Sequence, residues 1–262
     1  MKSIEELFLS RTSVRRYERR AIEPEKLDLI YRAIQNTPTS YNGQQFSVIA
    51  INDQALKEKL YAITSQKQIK TCAIFLVFCA DFNKLKQFAN SKSIDFPRFQ
   101  DTMDGLLVGV IDASLAMQNA VIASEALGLG SCCVGYTRTA APAQLADLLQ
   151  LPQGVAVVCG LSIGYPAEHP DIKPKQPLSL IIHQNHYRTD RIDKDLSAYN
   201  DKVTQYNEIR SGDKTHHDWG THILDYHRMA LDYHLDEYLE QQGFHLSNPG
   251  MKSKNQDNKS AI

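Results

Sequence analysis

Short apolar runs along the first 165 residues predict strands that are buried in a core. Each run is rich in β-branched or aromatic residues, a combination typical of strands covered on both faces. A less regular run over 178–187 predicts one more strand. The other predicted strands are 46–51, 72–80, 131–135 and 155–163.

Apolar residues at helical spacing occupy the intervals between these strands. Ser3 and Glu6 have the spacing of a capping box, and Asp53 is placed to cap the helix that follows it. The segment 104–127 is apolar on most faces, so we expect it in the middle of a domain. Residues 82–100 are polar and weakly patterned, which predicts a mobile surface segment. The predicted helices begin near Ser3 and cover 24–37, 54–63, 104–127, 142–149, 194–209 and 218–242.

The chain changes character after Pro177, where polar helices replace the buried runs. An apolar stripe from Trp219 to Tyr233 suits docking on a partner surface but is too narrow to build a core. The residues from Ser247 onward include no aromatic side chain, and we expect them to be disordered. The predicted organisation is a core at 1–187, a helical excursion of the same domain at 188–246, and a tail at 247–262.

The composition excludes several classes of protein. The 262 residues carry 29 Lys and Arg against 30 Asp and Glu, and this balance argues against a dedicated nucleic-acid binder. No apolar run approaches the roughly 18 residues that cross a bilayer, and the opening MKSIEELFLS is unlike a secretory signal. Five cysteines show no metal-ligand spacing, so we expect reduced, mostly buried thiols. These features predict a cytoplasmic protein without a membrane, nucleic-acid or metal partner.

Two basic segments are candidates for an anion site. Arg11 and Arg15 lie four residues apart with Ser13 between them, and guanidinium groups together with a hydroxyl suit a phosphate. Lys173 and Lys175 add two cations far away in the sequence. A solvated basic turn and a solvated lysine pair are the simpler alternatives, and spacing alone leaves them open.

The polar loop 38–46, between a predicted helix and a predicted strand, offers uncharged donors and acceptors. Ser40, Asn42 and Gln44 supply a mixture that suits the polar edge of a neutral heterocycle. An ordinary hydrogen-bonded turn at Asn42-Gly43 is the alternative.

Taken in order, these stretches resemble the nitroreductase family of FMN-dependent oxidoreductases. Within that family they are most similar to the NADPH-dependent flavin reductase and oxygen-insensitive nitroreductase branch. The likeness runs over about residues 3–245, and the ordered series is far more specific than any single motif. The matching motifs are Arg11-Thr-Ser-Val-Arg15, Pro38-Thr-Ser-Tyr-Asn42-Gly-Gln44, Gln66-Lys67, Phe78-Cys-Ala-Asp81, 112–120, 123–130, Val134-Gly135-Tyr-Thr-Arg138, Gly164-Tyr-Pro166 and 173–177.

The resemblance implies an α+β sandwich in which helices, one of them long and central, flank a central mixed sheet. It also implies a homodimer with FMN at each subunit interface, embraced by the excursion at 188–246. By the same analogy, the two basic segments hold the phosphate and ribityl chain, and the polar loop approaches the flavin from the partner subunit. Gln66, Gly135 and Tyr136 lie near the isoalloxazine ring by this analogy, with Arg138 close by. The implied cofactor-binding residues are Arg11, Thr12, Ser13, Arg15, Thr39, Ser40, Asn42, Gln44, Gln66, Val134, Gly135, Tyr136, Arg138, Lys173 and Lys175.

The implied activity is ping-pong transfer of two electrons from NADPH or NADH, through FMN, to nitroaromatics, quinones or related small acceptors. The flavin N5 carries the hydride, so no catalytic side chain is implied. Two alternatives stay open. One is an NADPH:flavin reductase that supplies free reduced FMN, and the other is a low-turnover flavin-binding carrier or redox-responsive protein.

The excursion departs from the family pattern where it would meet the nicotinamide nucleotide. The branch usually carries several arginines before its tryptophan, whereas this chain has Lys214, His216 and His217. These three residues are the candidates for NAD(P)H contact, and the departure leaves the preference between NADPH and NADH open. Two milder departures are Thr12, where the branch usually has Ser or Arg, and Lys175, where it usually has Arg.

Overall fold

The computed structural model describes residues 3–212 and 218–246. Its strands are β1 (Phe46–Ile51), β2 (Ile74–Asp81), β3 (Gly130–Val134) and β4 (Val155–Gly164). Its helices are α1 (Ile4–Leu9), α2 (Pro24–Gln35), α3 (Gln54–Thr64), α4 (Lys67–Thr71), α5 (Asn83–Lys92), α6 (Met103–Ala126), α7 (Tyr136–Thr139), α8 (Pro142–Leu148), α9 (Leu178–Ile181), α10 (Ile192–Ser211), α11 (Trp219–Ala230) and α12 (Leu235–Gln241). Single 3₁₀ turns lie at Ser40–Asn42 and Phe99–Asp101.

The predicted helix starts rest on the side chains that the sequence indicated. The amide of Glu6 donates to Ser3 Oγ at 3.1 Å and the amide of Ser3 donates to Glu6 Oε2 at 2.7 Å, which completes the capping box of α1. Asp53 Oδ1 accepts from the amide of Leu56 at 2.7 Å at the start of α3. Both caps are therefore confirmed.

Three predicted elements are wrong. The run 178–187 forms the short helix α9 and no strand, because its apolar residues are exposed and pair with no strand among the described residues. The segment 82–100 lies mostly on the surface, as predicted, but it contains the helix α5, which begins where Asp81 Oδ1 accepts from the amides of Asn83 and Lys84. The helix predicted over 218–242 is divided into α11 and α12 by a turn at 231–234, where Asp232, Tyr233 and His234 have lower helix propensity than Ala or Leu.

The four strands form one antiparallel sheet in the order β1-β2-β4-β3. Every residue of β2 and β4 is buried, so these two strands are the centre of the core. The α+β class is confirmed, but the ladders differ from the expected mixed sheet. Among the described residues, parallel pairing is limited to an isolated bridge between Ser13 and Ser131. Strand direction was not predictable, because the connections between these strands are long enough for either direction.

The long helix α6 packs against the sheet through small residues. Ala113, Ala116 and Ala120 are fully buried, and a Cβ at Gly109 would lie 2.8 Å from the Cβ of Ala80 in β2. By length and composition alone, α6 is long and apolar enough to cross a membrane. Its mean hydropathy stays high although a few polar residues divide it into shorter apolar runs. Its packing identifies it as the central core helix that the sequence predicts.

The described chain divides into two compact units. Unit 1 holds the sheet, α1–α8 and α12, and it comprises the residues through Leu9, 13–168 and those from Leu235 onward. In this unit Phe244 is buried with its ring centroid 6.0 Å from that of Phe82, and the hydroxyl of Tyr238 accepts from the amide of Val157.

Unit 2 comprises residues 10–12 and 169–234, with α9, α10 and α11. The rings of Tyr199 and Trp219 meet edge to face at 5.3 Å, and Asn200 Oδ1 accepts from the amide of Gly220 at 2.9 Å. These contacts join α10 to α11.

Gly160 in β4 makes room for α7, and this gives a stability prediction. A Cβ at Gly160 would lie 2.3 Å from Phe75 Cζ and 2.9 Å from Thr137 Cγ2. We expect Gly160→Ala to lower the free energy of unfolding by about 1–3 kcal/mol, the usual cost of overpacking, as measured by urea denaturation. Gly135→Ala, compared in the ligand-free protein, is the matched control, since a Cβ there meets no atom within 4 Å outside the neighbouring residues. Equal unfolding midpoints for Gly160→Ala and the wild type would contradict the prediction.

Candidate functional site

The basic turn that follows α1 is attached to the edge strand of the sheet. Ser13 forms the parallel bridge with Ser131 in β3, and the amide of Val14 donates to the carbonyl of Ser131 at 3.0 Å. Further along, Tyr17 forms an antiparallel bridge with Pro166. The turn is therefore fixed between β3 and the segment that follows β4.

Two strand-end glycines receive the buried side chains of this turn. A Cβ at Gly130 would lie 2.7 Å from Val14 Cγ2, and one at Gly164 would lie 2.9 Å from Tyr17 Cδ1. The Tyr17 hydroxyl donates to the carbonyl of Val14 at 2.6 Å, and burial raises its pKa. Arg15, between the two buried residues, remains exposed.

Glu168 contacts this turn from a distant part of the chain, and the sequence analysis did not identify it. Its Oε1 accepts from the amides of Arg15 at 2.7 Å and Arg16 at 3.1 Å, and its Oε2 lies 3.7 Å from Arg16 Nε. An acid four residues after Gly164 was the available signal. The Arg15 guanidinium donates to the carbonyl of Ser13 at 3.4 Å, and no carboxylate of residues 3–212 or 218–246 forms an ion pair with it. The turn thus leaves the Arg15 guanidinium accessible to an anion.

A cluster around Tyr165 holds the other side of the turn. The Tyr165 hydroxyl donates to Glu23 Oε2 and accepts from Lys26 Nζ at 2.7 Å. The guanidinium carbon of Arg20 lies 3.9 Å from the centre of the ring. The hydrogen bond from Tyr165, more than the neighbouring cations, lowers the pKa of Glu23 from about 4.5 to about 2.

This cluster predicts a pH-dependent effect of Tyr165→Phe. A carboxyl whose pKa is lower in the folded protein stabilises the fold above its ordinary pKa, and that stabilisation disappears as the pH falls. We expect Tyr165→Phe to be less stable than the wild type at pH 6 and the difference to shrink between about pH 4.5 and pH 2. Urea denaturation across this range measures it. A difference that grows toward pH 2 would contradict the role assigned to the hydrogen bond.

The residues predicted to lie near a flavin ring follow the opposite end of β3. Arg138 Nη1 donates to the carbonyl of Val158 at 2.6 Å, and Thr137 Oγ1 donates to the carbonyl of Val134 at 2.8 Å. These bonds fix α7, while Gly135 and Tyr136 are exposed at its start.

The distance between the two ends suits an elongated ligand. Ser131 and Gly135 are four residues apart along an extended chain, which corresponds to roughly 13 Å. The turn that pairs with Ser131 carries the exposed Arg15, and at Gly135 no atom outside the neighbouring residues lies within 4 Å of the position that a Cβ would take. Ser131 Oγ is buried and has no hydrogen-bond partner among the described residues. The edge of β3 therefore has a cationic residue toward one end and open space beside Tyr136 at the other, and this donor set fits FMN.

The polar loop 39–45 has an uncommon backbone. Tyr41, Asn42 and Gln44 have φ of 53°, 54° and 51°, in the left-handed region that residues with a Cβ seldom adopt. Gly43 has φ −76°, so the loop is not the simple Asn-Gly turn that was the alternative. Thr39 Oγ1 accepts from the amide of Gln44 at 3.2 Å and closes the loop. Several unfavourable dihedrals held together are typical of functional loops.

Gln66 occupies the N-cap position of α4 and is half-buried. Its side-chain Oε1 accepts from Gln68 Nε2 at 3.0 Å, and its backbone amide donates to Thr64 Oγ1 at 3.3 Å. The side chain of Gln66 is therefore linked to the first turn of α4.

The remaining predicted contacts fall in unit 2 or outside the described residues. Arg11, Thr12, Lys173 and Lys175 belong to unit 2, whereas the other cofactor candidates belong to unit 1. Lys214, His216 and His217, the NAD(P)H candidates, lie outside the described residues, as does the tail at 247–262.

A cavity of about 400 Å³ lies within unit 2. Lys173 and Pro174 line it together with aromatic residues of α10 and α11, and the Tyr199 hydroxyl donates to the carbonyl of Pro174 at 3.4 Å. The basic segment at 173–175 is thus supported by the helical part of its own unit.

The five cysteines are free, and four of them are buried as expected. Burial raises the pKa of the Cys72 and Cys79 thiols to about 12. Cys133 in β3 is exposed.

Comparison with known proteins decides the family. The Nitroreductase family matches residues 9–165, and the Nitroreductase family, C-terminal domain, matches residues 173–247. This chain belongs to the nitroreductase family. The resemblance seen in the sequence motifs is therefore confirmed.

Relatives of this nitroreductase-family protein carry several names. An "FMN reductase [NAD(P)H]" of Bacillus subtilis is 36% identical over 235 residues, which are 88% of this chain and 94% of that protein. A "CR(VI) reductase" of Pseudomonas sp. strain G-1 is 33% identical over 242 residues, 92% of this chain and 98% of that protein. The solved structure of the NfrA1 nitroreductase from B. subtilis superposes with a TM-score of 0.89 at 29% identity, over 93% of this chain and 99% of that chain.

Proposed function

We propose that this protein is an FMN-dependent NAD(P)H oxidoreductase that passes two electrons to nitroaromatics, quinones or related small acceptors. One observation carries the proposal: the exposed guanidinium of Arg15, which pairs with no carboxylate of residues 3–212 and 218–246, is on the turn bridged to the first part of the edge strand β3, and the open Gly135 follows its last residue. The names of the relatives, which include an FMN reductase and a nitroreductase, support the same chemistry.

The cofactor contacts follow from the charge and shape of this edge. Arg15 and Ser13 hold the terminal phosphate. The family resemblance adds Arg11, Thr12, Lys173 and Lys175 as cofactor contacts. Val134, Gly135, Tyr136, Arg138 and Gln66 surround the ring. When bound, FMN accepts two electrons from a reduced nicotinamide and returns them to an acceptor. The protein orients the flavin, and its donors stabilise negative charge on the reduced ring.

A homodimer completes the proposed site. Leu107, Ile111 and Leu115 form an exposed apolar stripe along α6, with Met103 one turn before it. Apolar stripes of this kind are typical of subunit interfaces. The excursion at 188–246 embraces the partner subunit, and Thr39, Ser40, Asn42 and Gln44 of each subunit contact the flavin of the other. Lys214, His216 and His217 contact the nicotinamide nucleotide.

A flavin reductase that releases free reduced FMN is the second candidate. The relative with 36% identity is named an FMN reductase that uses NAD(P)H, and this name favours free flavin as an acceptor. The two enzymes share one site and differ in the acceptor that turns over fastest.

The first test uses the purified full-length protein. We expect a yellow protein that releases FMN and no FAD on denaturation. When it is mixed with NADPH or NADH in a stopped-flow instrument, the absorbance of the oxidised flavin should bleach rapidly. Protein that stays colourless after incubation with FMN would overturn the proposed function. Bound flavin that neither nucleotide reduces would point to the low-turnover carrier. Parallel assays with a nitroaromatic, a quinone and free FMN then rank the acceptors.

A further inference from the structure

The central helix α6 carries a carboxylate in a fully buried position. Asp112 has no exposed surface, although it lies in the middle of the helix that packs on the sheet. Its Oδ1 accepts from the amide of Ser40 at 3.1 Å, and its Oδ2 accepts from the amide of Gln45 at 3.1 Å. One side chain thus satisfies two backbone donors at the two ends of the polar loop 39–45.

The loop between these two amides depends on outside support. Each of its left-handed residues, Tyr41, Asn42 and Gln44, adds an unfavourable local energy, and such residues persist where their surroundings fix them. The Tyr41 side chain is 98% exposed, so packing of that side chain does not hold the loop. Without Asp112, the amides of Ser40 and Gln45 would lose charged acceptors in a half-buried place, which is costly.

A second support reaches the same loop from α5. Lys84 Nζ donates to the carbonyl of Gln44 at 3.1 Å and to the carbonyl of Phe46 at 2.7 Å. Asp112 therefore holds two backbone donors, and Lys84 holds two backbone acceptors. Together they fix the end of the loop on both sides.

We propose that Asp112 is a positioning residue of the flavin site, which fixes the shape of the loop 39–45 and with it the side chains of Ser40, Asn42 and Gln44. This inference rests on the proposed function, because the loop acquires its role from FMN binding. Asp112 touches neither FMN nor substrate in this proposal. It acts through the backbone of the loop, and Lys84 acts with it.

The test compares three variants of the dimeric, FMN-loaded protein. Asp112→Asn keeps the size of the side chain but places an amide N–H against one of the two backbone donors. Lys84→Met keeps the stem and removes the ammonium. Ser114→Ala is the matched control, since Ser114 lies two residues along α6 and its Oγ donates only to the carbonyl of Val110. The measurements are hydrogen exchange at the Ser40 and Gln45 amides, the FMN dissociation constant, and KM and kcat for a quinone.

In Asp112→Asn, we expect hydrogen exchange at one or both of the Ser40 and Gln45 amides to be about 10-fold faster than in the wild type. The FMN dissociation constant should rise about 10-fold, as the loss of a hydrogen bond to a carboxylate implies. Lys84→Met should weaken FMN binding in the same direction, while Ser114→Ala should match the wild type. The acceptor KM should rise more than kcat falls, because the reacting atoms are unchanged.

Two results would overturn the proposal. Unchanged exchange at both amides in Asp112→Asn would show that the carboxylate does not hold the loop. Faster exchange with unchanged FMN affinity and unchanged KM would show that the loop is held without positioning the flavin. Failure of the proposed function is separate, since it appears as an absence of FMN binding by the wild type, whatever the exchange rates of the variants.

Discussion

Replacing Arg15 by alanine is expected to weaken FMN binding by about 10-fold to 100-fold and to leave the fold intact. A charge-assisted hydrogen bond contributes about 1.5–3 kcal/mol, and each 1.4 kcal/mol corresponds to one factor of ten. The Arg15 side chain is exposed, and the backbone of its turn is held by Ser131 and Glu168, so the substitution removes a ligand contact and no packing. The free energy of unfolding without FMN should therefore stay close to that of the wild type.

Titration of the apoprotein by flavin fluorescence measures this effect. Arg19→Ala is the matched control, because Arg19 is also exposed and lies four residues after Arg15. Unlike Arg15, Arg19 lines a cavity together with residues of α3 and α4. Riboflavin, which lacks the phosphate, provides a second comparison. If Arg15 binds the phosphate, Arg15→Ala should reduce the affinity for FMN and barely change the affinity for riboflavin. Equal losses for the two flavins would place the guanidinium elsewhere in the site.

Local signals predicted most of the elements correctly. The starts of two helices are fixed by Asp53 and by the pair Ser3 and Glu6. Each of these contacts joins residues three positions apart, so the local sequence was sufficient to predict them. The buried strands were equally visible, because the residues of β2 and β4 are covered on both faces. The helix α5 within 82–100 was missed for the opposite reason. The cap at Asp81 is local, but Ala89 is the one buried residue of α5, so the helix carries no apolar stripe that its sequence could reveal.

The candidate site also has a part that the local sequence predicted and a part that depends on distant contacts. The arginines of the basic turn and the polar residues of the loop were visible as residue types suited to an anion and a heterocycle. What holds them was not visible, since Glu168, Asp112 and Lys84 act on backbone groups between 38 and 153 positions away. Their roles depend on tertiary structure, and a carboxylate in an apolar helix gives no local sign of its partner.

The proposed sharing of each site between two subunits predicts that activity can be restored by combining two defective proteins. In the proposed site, Arg15 of one subunit and the loop 39–45 of the other contact the same flavin. Two defective proteins can therefore complement each other. One is Arg15→Ala, and the other is the double variant Ser40→Ala/Asn42→Ala. In the double variant, Asn42→Ala also places an alanine in the left-handed region, which alanine adopts less readily than asparagine.

We expect each variant alone to have low activity at limiting FMN, and a hybrid dimer of the two to regain about half of the wild-type activity. In a two-fold symmetric dimer each hybrid holds one site with both defects and one site with none. Coexpression with two different affinity tags and sequential purification isolates the hybrid, and NADPH-dependent quinone reduction measures it. As the control, a hybrid of the wild type with a subunit that carries all three substitutions holds two half-defective sites and should stay low. If the loop served the flavin of its own subunit, the two hybrids would exchange their activities, and this reversal would falsify the shared site.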